Sequence, residues 1–329
     1  MIESLFTPFL FQSTAQAITP ILFAALAGVL CGRVGVFNLA LEGQMLVGAF
    51  AAIVGSYFGH SAVGGVAAAM AAAAVFSLIL CCGATIFRGD PVGIGIGMNL
   101  LASGLTAYLL RVVFGVSGTF SDPNVVGLGR ITIPALVGVP VLGWAFARQS
   151  ALTLAVWALT ALISVVLFLT PVGLRLRGVG EQPEAAGALG VDVVRYRILT
   201  VLLAGALTGL AGAQLSLGAV SVFAEDMSAG RGWIAVVAVM LGRNNPLYAA
   251  AACALFGFAD AIGVNLQSRG LPNQLTDIAP YVATLLALVI SHRRRIRASL
   301  RSRQSAATAI EENGRAVGST NAPTLGDRS

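Results

Sequence analysis

Lysine is absent from this chain of 329 residues, in which all 20 basic side chains are arginine. A Walker A phosphate loop requires a lysine that reaches the β- and γ-phosphates, so the chain cannot bind ATP in that way. Schiff-base chemistry and lysine general bases are excluded for the same reason.

Histidine and cysteine are too few and too scattered for a metal site. The two histidines, His60 and His292, are far apart, and the four cysteines form no C-x-x-C pair. No cluster has the spacing of a nucleophile with its base, so an intramembrane enzyme is poorly supported. The sequence predicts no metal, no cofactor and no catalytic residue.

Charge is also scarce, at 10% of residues, whereas 57% are hydrophobic, 39 are glycine and the mean hydropathy is +0.86. A soluble protein would carry about 25% charged residues. The composition therefore predicts an all-α polytopic membrane protein.

Seven apolar stretches match the roughly 20 residues that a helix needs to cross a bilayer: 15–32, 35–58, 62–87, 92–116, 151–172, 198–222 and 247–267. Two weaker candidates are 228–242 and 276–291, and 134–147 is interpreted as a half-span. We expect about nine crossings in a transmembrane domain over 1–291. The tail 292–329, basic and then polar, is expected to be a disordered cytoplasmic extension.

Most arginines fall on one side of these spans, which predicts an N-terminus outside and a C-terminus in the cytoplasm. Arg130, Arg231 and Arg269 are exceptions on the opposite side. Glycines within spans, such as Gly205, Gly209 and Gly212, favour close helix packing over a broken, mobile helix.

Segment 35–48 combines glycines with Asn38, Glu42 and Gln44. Asn38 and Glu42 share a face if the stretch is helical. A carboxylate near membrane depth normally faces a partner or a wet cavity. Two interpretations stay open: a polar lining of a translocation path, or a structural anchor near Arg33 at the cytoplasmic interface.

Further polar side chains inside spans are Asn99 and Ser103, which share a helix face, and Asp260. Asp260 needs a partner that the sequence does not identify. Both substrate contact and an interhelical hydrogen bond would explain each of them, and the hydrogen bond is favoured.

The loop 173–197 contains the pattern of a short helix. Pro183 suits the first helical position, and Glu181 and Glu184 suit the positive end of the helix dipole. Gly187 or Gly190 can end the helix. A small helix of this kind, with Ala185 and Ala186, would fit a partner's groove, although an ordinary interfacial helix is the alternative.

At Glu181–Gly190 the sequence resembles the cytoplasmic coupling motif of ATP-binding-cassette (ABC) importer permeases. More narrowly, it is similar to the ribose/branched-chain amino acid permease superfamily, in its nucleoside and simple-sugar branch. Further stretches carry this resemblance: GVFNLALEGQM (35–45), AGALTGLAGAQLSLG (204–218), MSAGRGWIAVVAVMLGRNNPL (227–247), FGFADA (256–261) and APYVATLLALV (279–289).

The resemblance implies a permease of the bacterial inner membrane that carries nucleosides or simple sugars into the cytoplasm by alternating access. It implies three partners: a cytoplasmic ABC ATPase that docks on 181–190, a second homologous permease, and an extracytoplasmic solute-binding protein. Asn38, Glu42, Gln44, Asn99, Ser103 and Asp260 are the candidate path residues. The rival function is a self-sufficient, ion-coupled transporter or channel that uses Glu42 and Asp260.

Overall fold

The computed structural model describes residues 8–132, 146, 148–218 and 220–267. Its α-helices are α1 (Pro8–Arg33), α2 (Leu41–Gly59), α3 (Ala62–Cys81), α4 (Pro91–Phe114), α5 (Ala151–Leu169), α6 (Pro171–Glu181), α7 (Pro183–Ala188), α8 (Val193–Ala213), α9 (Arg231–Leu241) and α10 (Pro246–Gln267). Turns of π-helix extend α3 through Cys82–Ile86 and α8 through Gln214–Gly218.

Short antiparallel ladders join the loops between these helices. Strand β1 (Thr119–Phe120) pairs with β4 (Phe223–Ala224), with Thr119 opposite Ala224. Strand β2 (Arg130–Thr132) pairs with β3 (Arg148–Ser150), with Arg130 opposite Ser150. The first ladder links segments that are far apart in sequence, the second joins the two ends of segment 130–150, and both lie outside the helices.

Within the described ranges, seven helices are long and apolar enough to cross a membrane, and they coincide with the seven clear predicted spans. The weaker candidate 228–242 is the 11-residue helix α9. At about 1.5 Å per residue, α9 is too short to cross a hydrocarbon core about 30 Å thick. Nearly all of 134–147, and all of 276–291 and 292–329, lie outside the described residues, so nine crossings stay a prediction.

Several helices begin where their sequences place a capping side chain. Asp90 accepts hydrogen bonds from the amides of Val92 and Gly93 at the start of α4, and Pro91 occupies the first turn. Ser150 and Asp192 cap α5 and α8 in the same manner. Such side chains satisfy amides that have no partner within the helix.

Helix α1 occupies the interior of the bundle. Residues 21–27 are fully buried, as expected for a helix that is apolar on every side. It packs against α8, α9 and α10, and α8 also packs against α2 and α3. Helix α4 lies at the periphery, since only 22% of its most apolar window is buried.

Glycines let α8 approach α2 and α3 closely. A methyl group added at Gly48 of α2 would lie 2.8 Å from the Cα of Gly209 on α8. One added at Gly212 would overlap the backbone of α2, and one added at Gly205 would lie 2.8 Å from the Ala73 carbonyl oxygen of α3. Gly205, Gly209 and Gly212 all lie within the continuous helix α8, so the close-packing interpretation of them is correct.

Candidate functional site

The polar segment 35–48 folds as a turn followed by a helix. Gly35 has a φ of +78°, in the left-handed region that favours glycine. Asn38 then accepts a hydrogen bond from the amide of Ala40 (2.9 Å), which forms an Asx turn before α2 begins at Leu41. Asn38 therefore precedes the helix, so the condition under which it would share a helical face with Glu42 is not met.

Asn38 and Gln44 form a buried polar cluster with Thr208 of α8. The Asn38 amide donates to the Gln44 side-chain oxygen (3.2 Å), and the Thr208 hydroxyl donates to the same oxygen (3.3 Å). The Gln44 Nε2 group is buried and has no hydrogen-bond partner among the described residues. A buried amide without a partner costs free energy.

Glu42 binds the N-terminus of α9. Its carboxylate oxygens accept from the amides of Gly230 (2.8 Å) and Gly232 (2.6 Å). Both amides belong to the first turn of α9, whose N-cap is Gly230 at φ +80°. A carboxylate at a helix N-terminus accepts hydrogen bonds from amides that have no partner within the helix, and its negative charge complements the helix dipole. Glu42 thus joins α2 to α9.

Asn99 of α4 holds the backbone at the start of α2. Its side-chain oxygen accepts from the amide of Gly43 (2.8 Å), and its amide donates to the carbonyl of Leu39 (2.9 Å). One turn further along α4, the Ser103 hydroxyl donates to Asp226 (2.7 Å). The two side chains therefore share a face of α4, and they fasten it to the start of α2 and to the loop that contains Asp226.

Asp260 of α10 has Arg231 as its partner, at 3.7 Å between carboxylate and guanidinium. The two side chains are 23% and 28% exposed, so the pair is neither fully buried nor freely solvated. Both border a cavity of about 360 Å³, which other polar side chains also line: Ser13, Gln16 and Gln214. This cavity is large enough for a small polar solute.

The sequence contains one signal for this pair. Arg231 was an exception to the one-sided placement of arginines, and an arginine away from the basic side calls for a local anion. The partners of Glu42 carried no comparable signal, because backbone amides are present at every residue.

The loop 173–197 contains two helices. Helix α6 ends at Glu181, and α7 begins at Pro183, as the sequence predicts. Glu184 lies in the first turn of α7, and Glu181, the last residue of α6, directly precedes Gln182, the N-cap of α7. Helix α7 ends at Ala188, before Gly190, which has a φ of +81°.

A groove of about 480 Å³ lies between α6 and α7. Ala186 is buried against the bundle, whereas Leu189, just after α7, is 85% exposed. Leu174, Gly178 and Ala185 also line this groove. Arg175, Glu181 and Gln182 line it as well, so the segment 171–190 presents a groove with apolar and charged walls, and an exposed leucine, outside the membrane-spanning helices.

No group of three or more histidine, cysteine, aspartate or glutamate side chains in the described part of the chain could hold a metal ion.

Comparison with known families gives a match over residues 10–289 to the model described as "Branched-chain amino acid transport system / permease component". Apart from the first two residues of α1, the described helices lie within the matched range, as do the segments 35–48 and 171–190. The match thus covers most of the chain.

Three curated relatives match over most of both chains. The guanosine ABC transporter permease NupQ of Bacillus subtilis is 36% identical over 82% of this chain and 87% of its own length. TsgC13 of Haloferax volcanii, provisionally named a glucose ABC transporter permease, is 35% identical over 85% and 84%. The nucleoside ABC transporter permease NupC of Lactococcus lactis is 33% identical over 83% and 88%.

A solved structure shares the fold. It is an inward-facing ABC transporter, provisionally described as of metal-chelate type, with a TM-score of 0.51 and 16% identity over 84% of this chain and 85% of that one.

Proposed function

This chain belongs to the family of permease components of branched-chain amino acid transport systems, and we propose that it carries nucleosides across the membrane as the permease of an ABC importer. The observation that carries the proposal is the 36% identity to a guanosine permease over 82% of the chain. The likeness includes the helical loop 171–190, where an ATPase would dock.

Simple sugars are the second candidate class, because the relative named for glucose is 35% identical over a similar length. Nucleosides and sugars share a neutral, polyhydroxylated ring. Such a solute needs hydrogen-bonding side chains and no dedicated counter-charge.

The energy for transport comes from a separate ATPase, since the chain has no lysine for a Walker A loop. We assign its docking site to Glu181, Pro183, Glu184, Ala185, Ala186, Gly187 and Gly190, together with the groove beside them. Ala186 anchors α7 on the bundle, and the exposed Leu189 is free to enter the ATPase. Movement of the ATPase would reach the membrane helices through α6 and α8, which flank α7.

A second homologous permease and an extracytoplasmic solute-binding protein complete the proposed importer. The peripheral helix α4, with a largely exposed surface, is available to face the second permease across the path. The proposed orientation has the N-terminus outside and 171–190 in the cytoplasm, in agreement with the arginine distribution.

The path residues are proposed in two groups. Asp260 borders the 360 Å³ cavity and is proposed to contact the solute there. Asn38, Glu42, Gln44, Asn99 and Ser103 are proposed to shape the path, since each is engaged by a hydrogen bond to another element or loop.

The test is uptake of radiolabelled guanosine, glucose and leucine, each measured separately, by cells that contain this chain and its partner subunits. Guanosine uptake that stops with a hydrolysis-dead ATPase supports the proposal. Glucose uptake alone supports the sugar class. Uptake that survives the dead ATPase, or that follows the proton gradient, supports the ion-coupled alternative and contradicts the importer.

A further inference from the structure

Two guanidinium groups lie on one aromatic ring near the end of α5. Arg33, the last residue of α1, lies 5.3 Å from the centroid of the Phe168 ring, and Arg177 of α6 lies 5.4 Å from it. Both distances are within the range of a cation–π contact. Such contacts hold the two side chains together but do not neutralise their charges.

The charge of Arg177 has no compensating partner among the described residues. Its Nε atom is buried without a hydrogen bond, and the guanidinium forms no ion pair within 4.0 Å there. Arg33 donates from Nε to the carbonyl of Asn244 (2.6 Å), which satisfies one donor and leaves its charge unpaired. Glu181 acts on Arg33 electrostatically but is not bonded to it.

Exposed apolar side chains adjoin Phe168 in the sequence, at the end of α5 and the start of α6. Leu169 is 78% exposed, and Val165 and Val172 are each about half exposed. Helices α1 and α5 are membrane-spanning helices that end here, so the arginines lie where a span meets the polar surface of the bilayer. The surface therefore combines two cations at the membrane boundary with exposed apolar side chains. These two parts match the anionic headgroup and the acyl chain of a lipid.

We propose that Arg33, Arg177 and the adjoining surface of α5 bind an anionic phospholipid. We term these residues the Arg33–Arg177 site. The phosphate would accept hydrogen bonds from both guanidiniums, whose planar donors match phosphate oxygens. One acyl chain would lie along Val165 and Leu169. Basic pockets between membrane helices are known to hold anionic headgroups in this manner.

The site adjoins the proposed ATPase-coupling segment. Arg177 lies on α6, which leads directly into α7, and Gly180 approaches the Arg33 backbone so closely that a methyl group there would overlap its carbonyl. A phosphate between Arg33 and Arg177 would fasten α6 to α1. The inference goes beyond the proposed function and requires only that α1 and α5 span a membrane.

Binding is tested on the full chain in neutral detergent, titrated with short-chain phosphatidylglycerol or phosphatidylcholine and followed by native mass spectrometry. We expect a lower Kd for phosphatidylglycerol. Arg177→Gln should raise that Kd about fivefold, since a basic side chain near a lipid surface contributes about this factor. Because Arg177 makes no hydrogen bond among the described residues, this variant should fold.

The matched control is Arg195→Gln, which removes one charge from the neighbouring helix α8 at a side chain already paired with Asp192. Its Kd should stay within twofold of the wild type, and Arg33→Gln should behave like Arg177→Gln. Equal Kd values for both lipids, or equal effects of the Arg177 and Arg195 variants, would overturn the proposal. Displacement of the lipid by millimolar phosphate, but not by chloride of equal ionic strength, would assign the site to a small anion and overturn the proposal that it binds a lipid.

Discussion

Replacement of Glu42 by glutamine tests the joint between α2 and α9. In the wild type, both carboxylate oxygens accept from amides of the first turn of α9. A hydrogen bond to a charged group contributes about 1.5–3 kcal/mol. Glu42→Gln keeps one acceptor oxygen, turns an NH₂ group toward the second amide and removes the charge from the helix dipole. We expect a loss of about 2–3 kcal/mol, less than two full bonds because Glu42 is half-buried.

The assay is native-state hydrogen exchange at the amides of Gly230 and Gly232. If exchange proceeds by local opening of the first turn of α9, a loss of about 2–3 kcal/mol accelerates it by roughly 30- to 150-fold. Amides in the middle of α1, which Glu42 does not contact, should keep their protection. The change is therefore expected to be local to α9.

The control is Glu225→Gln, which also removes a carboxylate that accepts from a backbone amide, that of Gly118. This bond is exposed, so its loss should change exchange at Gly118 by less than about tenfold. Equal and small effects of both variants would refute the argument that the position of Glu42 at a helix terminus strengthens its bonds. Loss of ATPase-independent, proton-driven uptake in Glu42→Gln would instead support the ion-coupled alternative.

Three further predictions concern packing, coupling and the α9–α10 ion pair. Gly212→Val should abolish folded yield in a membrane-extraction assay because its side chain would overlap the backbone of α2, whereas Gly97→Ala, with open space around it, should not. Leu189→Asp should cut ATP-driven uptake at least tenfold with an unchanged thermal transition. Val63, at the start of α3, is also exposed (77%), and Val63→Asp should leave uptake intact. Equal uptake in the two variants would contradict the coupling assignment. Asp260→Asn and Arg231→Gln should each destabilise the protein more than the double variant does in thermal unfolding, by about 1 kcal/mol, and strictly additive effects would show that the pair does not interact.

The membrane-spanning helices were predictable because the signal is long and local. About 20 apolar residues in succession have few alternatives to a spanning helix, and the seven clear stretches all became helices. The start of α2 was predicted too early, at 35. Hydropathy does not register that Gly35 adopts a left-handed conformation or that Asn38 forms a turn.

The contacts of the polar residues were less predictable. Glu42 and its amide partners are separated by 188 and 190 positions, and no periodicity of either segment indicates that they meet. The short helix at Pro183 was predictable, since proline at the first helical position acts within one turn. The groove beside it depends on how α6 and α7 pack, which the sequence pattern does not reveal.

The polar contacts also indicate which helices must move together. Asn99 fastens α4 to the start of α2, Glu42 fastens α2 to the first turn of α9, and Arg231 of that turn pairs with Asp260 of α10. Each contact joins adjacent members of the series α4, α2, α9 and α10. A rearrangement that separated α4 from α2 would leave polar groups without partners in a medium that cannot replace them. Alternating access in this permease is therefore expected to move these four helices as one unit, with changes of contact at the periphery of α4.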